Sequence, residues 1–248
     1  MNSLDYRTRI YAQYATRFQD AGQAFDALAA EVWGRPYRAY LRGWLPANRG
    51  ARILEVACGG GRLLHLLKSL GYSQLEGVDC SPEQVALSRQ VIDPARVFEA
   101  DVLQFLEAHP ASYDLILGLD LIEHLTKEEA LRFLDACHGA LQPGGRLVLQ
   151  TPNGESPWAG HMRYGDFTHE VGFTPNSLSR LLMLTGFDQV QSREVAPVIH
   201  GFRSLLRYLG WKGLRALLSI WNLIEIGNTG SGIYTRVMLI SGPRRGRS

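Results

Sequence analysis

The stretch from Ile53 to Gly61, which reads Ile-Leu-Glu-Val-Ala-Cys-Gly-Gly-Gly, constrains the fold more than any other part of the chain. An apolar run leads into three glycines, and a helical pattern follows from Arg62 to Leu70. This order predicts a buried strand, a tight turn and the start of a helix. Glycines let the backbone come close to a ligand, and a helix start presents free N–H groups to it. The stretch therefore predicts a ligand-binding turn.

Composition limits the classes of protein to which the 248-residue chain can belong. Apolar residues make up 46% and charged residues 20%, which fits a large domain with a sizeable core. A net charge of +2 gives no broad electrostatic signal for nucleic acid. Three cysteines without Cys-x-x-Cys spacing favour a reducing compartment over a disulfide framework or a zinc site. Because no apolar leader or long apolar run occurs, we expect a cytoplasmic protein without a spanning helix.

Strand and helix patterns alternate along most of the chain. We predict strands at 52–57, 74–79, 96–100, 113–119, 145–150, 187–194 and 233–241, and helices at 61–70, 82–91, 102–108, 127–141 and 174–185. Such alternation implies βαβ units and a parallel sheet covered by helices on both faces. The interpretation is an α/β core at 50–194 plus 231–241, with an N-terminal helical cap at 1–49 and a helical insertion at 195–230. In the N-terminal part, Pro36 is expected to open a second helix.

Acidic residues at the ends of the strands indicate which ligand the turn holds. The glycines at 59–61 lack the third glycine of the Gly-x-Gly-x-x-Gly dinucleotide fingerprint, and the Gly-Lys-Ser/Thr of a P-loop is absent. Glu55 suits a cationic amino acid group. Asp79 is placed to accept hydrogen bonds from two ribose hydroxyls, and Asp101 from an adenine amino group.

Taken together, these residues resemble the motifs of the class I S-adenosylmethionine-dependent methyltransferases. Leu54 to Gly61 matches the family's apolar-Glu-x-Gly/Ala-Cys-Gly-x-Gly motif, with Ala57 where the family more often has glycine. The resemblance implies a Rossmann-like sheet of seven strands, with the last strand antiparallel and inserted between strands five and six. It also implies S-adenosylmethionine as the cofactor. The residues implied to bind it are Glu55, Ala57, Gly59, Gly61, Asp79, Cys80, Asp101, Val102 and Leu119.

A second motif, Asp120, Glu123 and His124, follows strand four. It resembles the acid-x-x-Glu-His pattern of the quinone-biosynthesis O-methyltransferases, in which the trio is associated with a divalent metal. A set of carboxylates and an imidazole suits Mg²⁺, Mn²⁺ or Zn²⁺. The alternative is structural, with the glutamate and histidine bracing the next helix and no metal bound.

The loop from Thr151 to Gly172 concentrates ionisable side chains near the carboxyl edge of the predicted sheet. Methyl transfer to a hydroxyl needs a positioned acceptor and a group that removes its proton, and imidazole is suited to that role. We therefore expect His169 to be the base, oriented by Asp166 or Glu170, and rank His161 lower. In the alternative, His169 and Glu170 only brace the loop.

The insertion has the period of an amphipathic helix from Arg203 to Ile226, which Gly210 and Gly213 are expected to break in two. One interpretation is a helical cap over the active site. The other is peripheral membrane contact through 203–226, with tryptophans and basic residues at headgroup level. The loop and insertion are also similar to methyltransferases of surface-polysaccharide and lipid-linked saccharide pathways.

The sequence therefore predicts an S-adenosylmethionine-dependent methyltransferase that acts on the hydroxyl of a small molecule or saccharide, with no nucleic acid partner. Two alternatives stay open. One is N- or C-methylation of a small metabolite. The other is a catalytically silent protein that binds the cofactor and acts as a partner.

Overall fold

A computed structural model describes Tyr6, Ile10 and residues 24–246. Its helices are α1 (Ala27–Tyr40), α2 (Arg62–Ser69), α3 (Pro82–Ser88), α4 (Val102–Glu107), α5 (Lys127–Ala140), α6 (Ala159–Tyr164), α7 (Pro175–Leu184) and α8 (Phe202–Ile226). Its strands are β1 (Arg52–Val56), β2 (Gln74–Asp79), β3 (Val97–Glu99), β4 (Tyr113–Leu119), β5 (Leu141–Pro152), β6 (Gln191–Glu194) and β7 (Val237–Pro243). The helix predicted before Ala27 falls mostly outside the described residues.

The strands form one seven-stranded sheet in the order β3-β2-β1-β4-β5-β7-β6. The pairs from β3 across to β5 are parallel, whereas β7 runs antiparallel to both β5 and β6. The predicted Rossmann-like sheet, with its last strand reversed and inserted between strands five and six, is confirmed. The carboxyl ends of the parallel strands therefore meet at one edge, where ligands bind in sheets of this kind.

Local sequence explains where the helices begin. Thr126 and Glu129 form a capping box at the start of α5, since each side chain bonds to the backbone of the other residue. Thr174 caps α7 in the same way, with Pro175 as the first helical residue. The sheet separates two apolar clusters, one packed with α4, α5 and α7 and the other with α1 and α2. This layering holds the strand ends in fixed register.

The structure corrects the expectation for Pro36, which lies inside α1 and opens no new helix. A proline within a helix costs about 3 kcal/mol. Packing on both sides compensates, because the Trp33 and Tyr37 rings stack with centroids 4.2 Å apart and Leu41 and Trp44 are buried. The N-terminal helix is thus built into the core.

Three predicted boundaries also shift. β6 begins at Gln191 and β7 at Val237, four residues later than the sequence pattern suggested in each case. β5 extends to Pro152, and the loop after it contains the short helix α6.

The helix α8 is continuous over 25 residues, so the expected break at Gly210 and Gly213 does not occur. Its polar half faces the protein. Arg215 donates to the Gly232 carbonyl at 3.0 Å and pairs with Glu194 at 3.1 Å. Its apolar half is largely exposed. None of the described helices is both long enough and apolar enough to cross a bilayer.

Candidate active site

A cavity of about 1080 Å³ opens at the carboxyl edge of the sheet. Its walls come from the turn after β1, the ends of β2, β3 and β4, and the loop after β5. Seven of the nine predicted cofactor-binding residues line it, namely Ala57, Gly59, Asp79, Cys80, Asp101, Val102 and Leu119. No residue of α8 contributes to the lining. The strand ends thus gather most of the predicted residues in one place.

The turn after β1 requires left-handed backbone at Ala57, Gly59 and Gly61, with φ values of 50°, 51° and 82°. Gly61 does not line the cavity but lies against α3. A Cβ at Gly61 would approach the Ser88 Oγ to 2.9 Å and the Ser88 Cα to 3.2 Å. The Ser88 hydroxyl in turn donates to the Gly59 carbonyl at 2.6 Å. The last glycine therefore permits the close packing that fixes the turn.

Asp79 ends β2 and ties the turn to the next loop. Its Oδ2 accepts from the Gly59 N–H at 2.9 Å and its Oδ1 from the Ser81 N–H at 2.8 Å. Burial raises the pKa of the Asp79 carboxyl, and the surrounding backbone N–H donors oppose that shift. Each carboxylate oxygen can accept more than one hydrogen bond. Asp79 can therefore hold the turn and accept from a ligand at once.

Glu55 lies behind the turn and does not line the cavity. It is 4% exposed, and its Oε2 has no hydrogen-bond partner among the described residues. Burial raises the pKa of Glu55 well above its ordinary value. A buried, unsatisfied carboxyl oxygen is costly, which is a reason to expect a partner at this place.

Asp101 and Cys80 line the same half of the cavity. The Asp101 carboxylate is the N-cap of α4, where it accepts from the Gln104 N–H at 3.0 Å. Burial raises the pKa of the Cys80 thiol to about 11, so the thiol lines the cavity in its neutral form near pH 7. The role expected for Asp101 towards an adenine amino group stays a prediction.

Asp120 has a left-handed backbone, with φ 53°, directly after β4. The Gln150 amide donates to both of its carboxylate oxygens, at 3.1 and 3.0 Å. The Tyr37 hydroxyl donates to the other end of the same amide, at 2.8 Å. Burial raises the pKa of the Asp120 carboxyl. A hydrogen-bonded chain therefore runs from α1 through β5 to the site.

Glu123 is almost fully buried beside Asp120. Its Oε2 accepts from the Thr151 hydroxyl at 3.0 Å, while its Oε1 has no partner among the described residues. Burial and the nearby Asp120 raise the pKa of Glu123 well above its ordinary value. Its backbone carbonyl accepts from the Glu170 and Val171 N–H groups at 2.7 and 3.1 Å. This residue therefore anchors the long loop to the end of β4.

His124 belongs to a hydrogen-bonded chain that ends on a carboxylate. The Thr168 hydroxyl donates to Asp166 at 2.6 Å, and the His124 Nδ1 lies 2.7 Å from the same hydroxyl oxygen. A hydroxyl has one proton to donate, so the His124 Nδ1–H is the donor in this second bond. The arrangement places the ring proton on Nδ1 and a lone pair on Nε2 in neutral His124.

His169 lines the cavity, and its ring centroid lies 4.8 Å from that of His124. Its Nδ1 lies 3.0 Å from the Met162 carbonyl, which can only accept, so Nδ1 carries the proton. Orientation of His169 by Asp166 or Glu170 stays a prediction. A backbone carbonyl orients His169 through Nδ1, while Asp166 orients His124 through Thr168.

Glu123, His124 and His169 are the described side chains whose potential metal-ligand atoms all lie within 4.8 Å of one another. Asp120, the third member of the predicted trio, is not in this group. His161 also lines the cavity. A smaller cavity of about 280 Å³ continues past Glu123 and His169 towards Arg163 and Tyr164.

Three contributors were missed by sequence reasoning, namely Gln150, Thr151 and Thr168. Gln150 and Thr151 sit near the end of β5, at the same edge as the motif residues. That position is the signal that could have found them, since polar residues at the end of a buried parallel strand point to the ligand edge. Thr168 has no comparable signal, because its partners come from a loop and a distant turn.

Comparisons with known proteins agree with this architecture. The sequence model of a family described as Methyltransferase domain matches residues 25–192. A ubiquinone biosynthesis O-methyltransferase of Xanthomonas campestris pv. campestris (strain B100) is 34% identical over 108 residues, covering 42% of this chain and 44% of that protein. A ubiquinone biosynthesis O-methyltransferase of Idiomarina loihiensis is 30% identical over 145 residues, covering 52% of this chain and 58% of that protein. The chain thus spans about half the length of the curated relatives it matches.

Solved structures share the fold at low sequence identity. An S-adenosylmethionine-dependent methyltransferase from Archaeoglobus fulgidus superimposes with a TM-score of 0.63 at 19% identity, covering 97% of this chain and all of that one. A phosphoethanolamine N-methyltransferase 2 of Haemonchus contortus, in complex with phosphomonomethylethanolamine and S-adenosylhomocysteine, superimposes with a TM-score of 0.62 at 15% identity. The match covers 96% of this chain and 60% of that one. At these identities the similarity concerns the fold.

Proposed function

The chain belongs to the methyltransferase-domain family, and from this premise we propose that it transfers a methyl group from S-adenosylmethionine to the hydroxyl of a small-molecule or saccharide acceptor. The observation that carries the proposal is a cavity lined by seven of the predicted cofactor residues and by three imidazoles, those of His124, His161 and His169. The curated relatives named as O-methyltransferases support the choice of oxygen as the methylated atom. The free cysteines at 58, 80 and 137 fit a cytoplasmic setting.

The residues present fit this cofactor. Asp79 has acceptor capacity for ribose hydroxyls, and the glycine turn leaves room that side chains would fill. Gly59 lines the cavity, whereas Gly60 packs against α3, where a Cβ would come within 3.3 Å of the Gln84 Oε1. The unsatisfied Oε2 of Glu55 adds a hydrogen-bond acceptor behind the turn. When bound, S-adenosylmethionine supplies an electrophilic methyl group on a sulfonium.

The chain's own contribution to chemistry is to position the acceptor and accept its proton. In neutral His169 and His124 the Nδ1 protons are committed to Met162 and Thr168, so Nε2 is the basic atom of each ring. We assign His169 as the base that takes the hydroxyl proton. Fixed hydrogen bonds on the opposite nitrogen keep that ring in a productive orientation.

A metal is the specific alternative for the same residues. Glu123, His124 and His169 offer one carboxylate and two imidazoles, a donor set that suits a divalent cation such as Mg²⁺, Mn²⁺ or Zn²⁺. The unsatisfied Glu123 Oε1 is consistent with such a ligand set. A bound cation would supply Lewis acidity to the acceptor oxygen. In that case Glu123, His124 and His169 hold the cation and Asp120 does not.

Isothermal titration with S-adenosylhomocysteine tests the cofactor half. Asp79→Asn is expected to weaken binding by roughly tenfold or more, because the ligand's hydroxyl groups lose the carboxylate that accepts their hydrogen bonds. Asp135→Asn, an exposed residue on α5 outside the cavity, is the matched control and is expected to bind like the parent. Equal binding by both variants, or no binding by the parent, would contradict the proposal.

Transfer of a radiolabelled methyl group tests the acceptor half. The probes are catechol and methyl glucoside for hydroxyl acceptors and phosphoethanolamine for an amine. We expect label in a hydroxyl probe, and a loss of about a hundredfold or more in His169→Ala. Label in the amine alone would favour N-methylation, and cofactor binding without any transfer would favour a silent protein. Activity that EDTA abolishes and Mg²⁺ or Zn²⁺ restores would favour the metal alternative.

A further inference from the structure

The outward face of α8 is an unusual concentration of exposed apolar side chains. Among the described residues, ten of the nineteen exposed large hydrophobic side chains lie on this one helix. At 100° per residue, six of these ten side chains fall within about 80° of the helix circumference. We call this set the apolar stripe; it comprises Phe202, Leu206, Leu209, Leu217, Ile220 and Ile224. Patches of this kind mark interaction sites in folded proteins.

The stripe faces away from the protein because the opposite side of α8 is committed to the core domain. Ser204 is buried, and Arg215 is held by Glu194 and the Gly232 carbonyl. Further along, Ser219 and Asn222 bond to the Tyr234 hydroxyl, each at 3.3 Å. These polar contacts fix the rotation of the helix. The apolar stripe is therefore held in an outward orientation by the contacts of the inner face.

Positive charges flank the stripe on both sides. On the helical wheel, Arg203 and Arg207 lie on one flank and Lys212 on the other, and all three are exposed. The acidic residue of α8, Glu225, accepts from the Trp221 indole N–H at 2.7 Å. An apolar stripe between rows of cations is the pattern of a helix that lies in a membrane interface. The cations attract anionic headgroups, and each contributes to binding within a Debye length.

We propose that α8 docks this chain on the surface of a bilayer that contains anionic phospholipid. The apolar stripe enters the boundary between headgroups and acyl chains, and Arg203, Arg207 and Lys212 contact lipid phosphates. The helix is about 37 Å long at 1.5 Å per residue, and it lies parallel to the surface because it is not apolar enough to cross the bilayer.

Charge favours lipid over a second copy of the chain as the occupant. Pairing two α8 helices would bring three exposed cations from each copy to one interface, against a single glutamate from each. Like charges at a buried interface are unfavourable. An anionic lipid surface supplies the negative charge that such a pair lacks.

Flotation with vesicles tests the docking surface, using phosphatidylcholine alone and phosphatidylcholine mixed with phosphatidylglycerol. The full chain is expected to float with the mixed vesicles and much less with the neutral ones, and added salt is expected to weaken binding. The double variant Leu217→Glu/Ile220→Glu should lower partitioning by roughly tenfold or more, since it removes two exposed apolar groups that would enter the bilayer. Leu184→Glu, also exposed but on α7, is the control for a new surface charge.

A second pair of variants tests the charges. Arg203→Glu/Arg207→Glu should lower binding to the mixed vesicles, while Arg180→Glu, exposed on α7, should not. Circular dichroism melting of every variant confirms folding, and flotation does not depend on methyl transfer. The proposal is overturned if the folded chain stays with the unbound fraction. It is also overturned if the α8 variants float like their controls, or if light scattering finds a dimer that does not bind vesicles.

Discussion

Replacing Gly61 by alanine tests how the cofactor turn is held in place. Gly61 has φ 82°, a left-handed conformation that costs an L-residue about 1–2 kcal/mol. Its new Cβ would meet Ser88 and Val91 of the neighbouring segment, at 2.9 Å from the serine Oγ and 3.1 Å from the valine Cγ2. The backbone Cα of Ser88, at 3.2 Å, cannot move aside as a side chain would. The variant therefore combines a conformational cost with a packing cost.

Gly71 provides a matched control that separates these two costs. It has φ 89°, and no atom lies within 4 Å of the place that an alanine Cβ would take, so Gly71→Ala carries the conformational cost alone. Overpacking in a filled core adds about 1–3 kcal/mol. We therefore expect a loss in the free energy of unfolding of about 1–2 kcal/mol for Gly71→Ala and about 2–5 kcal/mol for Gly61→Ala.

Urea unfolding followed by circular dichroism measures both losses. For a chain of this size each kcal/mol corresponds to a melting-temperature shift of about 2–4 °C, so thermal melts provide a second measure. Titration with S-adenosylhomocysteine should show weaker binding for Gly61→Ala alone, because relief of the clash displaces the turn. If the two variants lose equal stability and bind the ligand equally, the close packing against Ser88 does not hold the turn.

Three further predictions concern single side chains. Ala57 has φ 50°, so Ala57→Gly relieves about 1–2 kcal/mol of backbone strain and adds a glycine entropy cost of about 0.5–1 kcal/mol. Stability should therefore stay the same or rise slightly. A thermal melt that shows a loss of stability above about 1 kcal/mol would contradict this. Burial raises the pKa of Glu55 above its ordinary 4.5, so the folded chain binds the proton more tightly and the free energy of unfolding falls as pH rises above 4.5. Glu55→Gln should reduce that fall in urea titrations at acidic and neutral pH, because the other buried carboxyls still contribute to it. An unchanged slope would refute the assignment. Thr168→Val should lower methyl transfer by roughly tenfold to a hundredfold while S-adenosylhomocysteine binding stays intact, because His124 loses the hydroxyl that orients it. Thr126→Val is not a suitable control, because Thr126 caps α5.

The βαβ core could be predicted from sequence because its signals are local. Apolar runs, glycines and strand-end acids lie within a few residues of one another, and parallel strands bring those ends to one edge. The turn at 57–61 and Asp79 could thus be placed together from the sequence alone. Ala57 stands out in the sequence as a departure from glycine, and the structure gives that position the left-handed backbone that glycine adopts most easily.

The orientation of α8 and the link between Thr168 and His124 depend on tertiary contacts. Periodicity divides a helix into two faces but does not say which face finds a partner, and here Tyr234 and Glu194 select the polar one. Likewise, His124 and Thr168 are 44 positions apart, and no pattern in the intervening sequence pairs them. The helix α8 continues through Gly210 and Gly213 because an interior glycine costs only about 1 kcal/mol.

The contact between Tyr37 and Gln150 has a consequence for how this chain could be recombined with its relatives. A side-chain amide can point either way, and here the tyrosine hydroxyl donates to the amide oxygen, which leaves the NH₂ group to face Asp120. A chimera with a different residue at position 37 would free the amide to rotate and turn its oxygen towards the carboxylate. The first helix thus sets the orientation of the Gln150 amide at the far end of β5, so a working chimera would have to exchange α1 and the candidate site together.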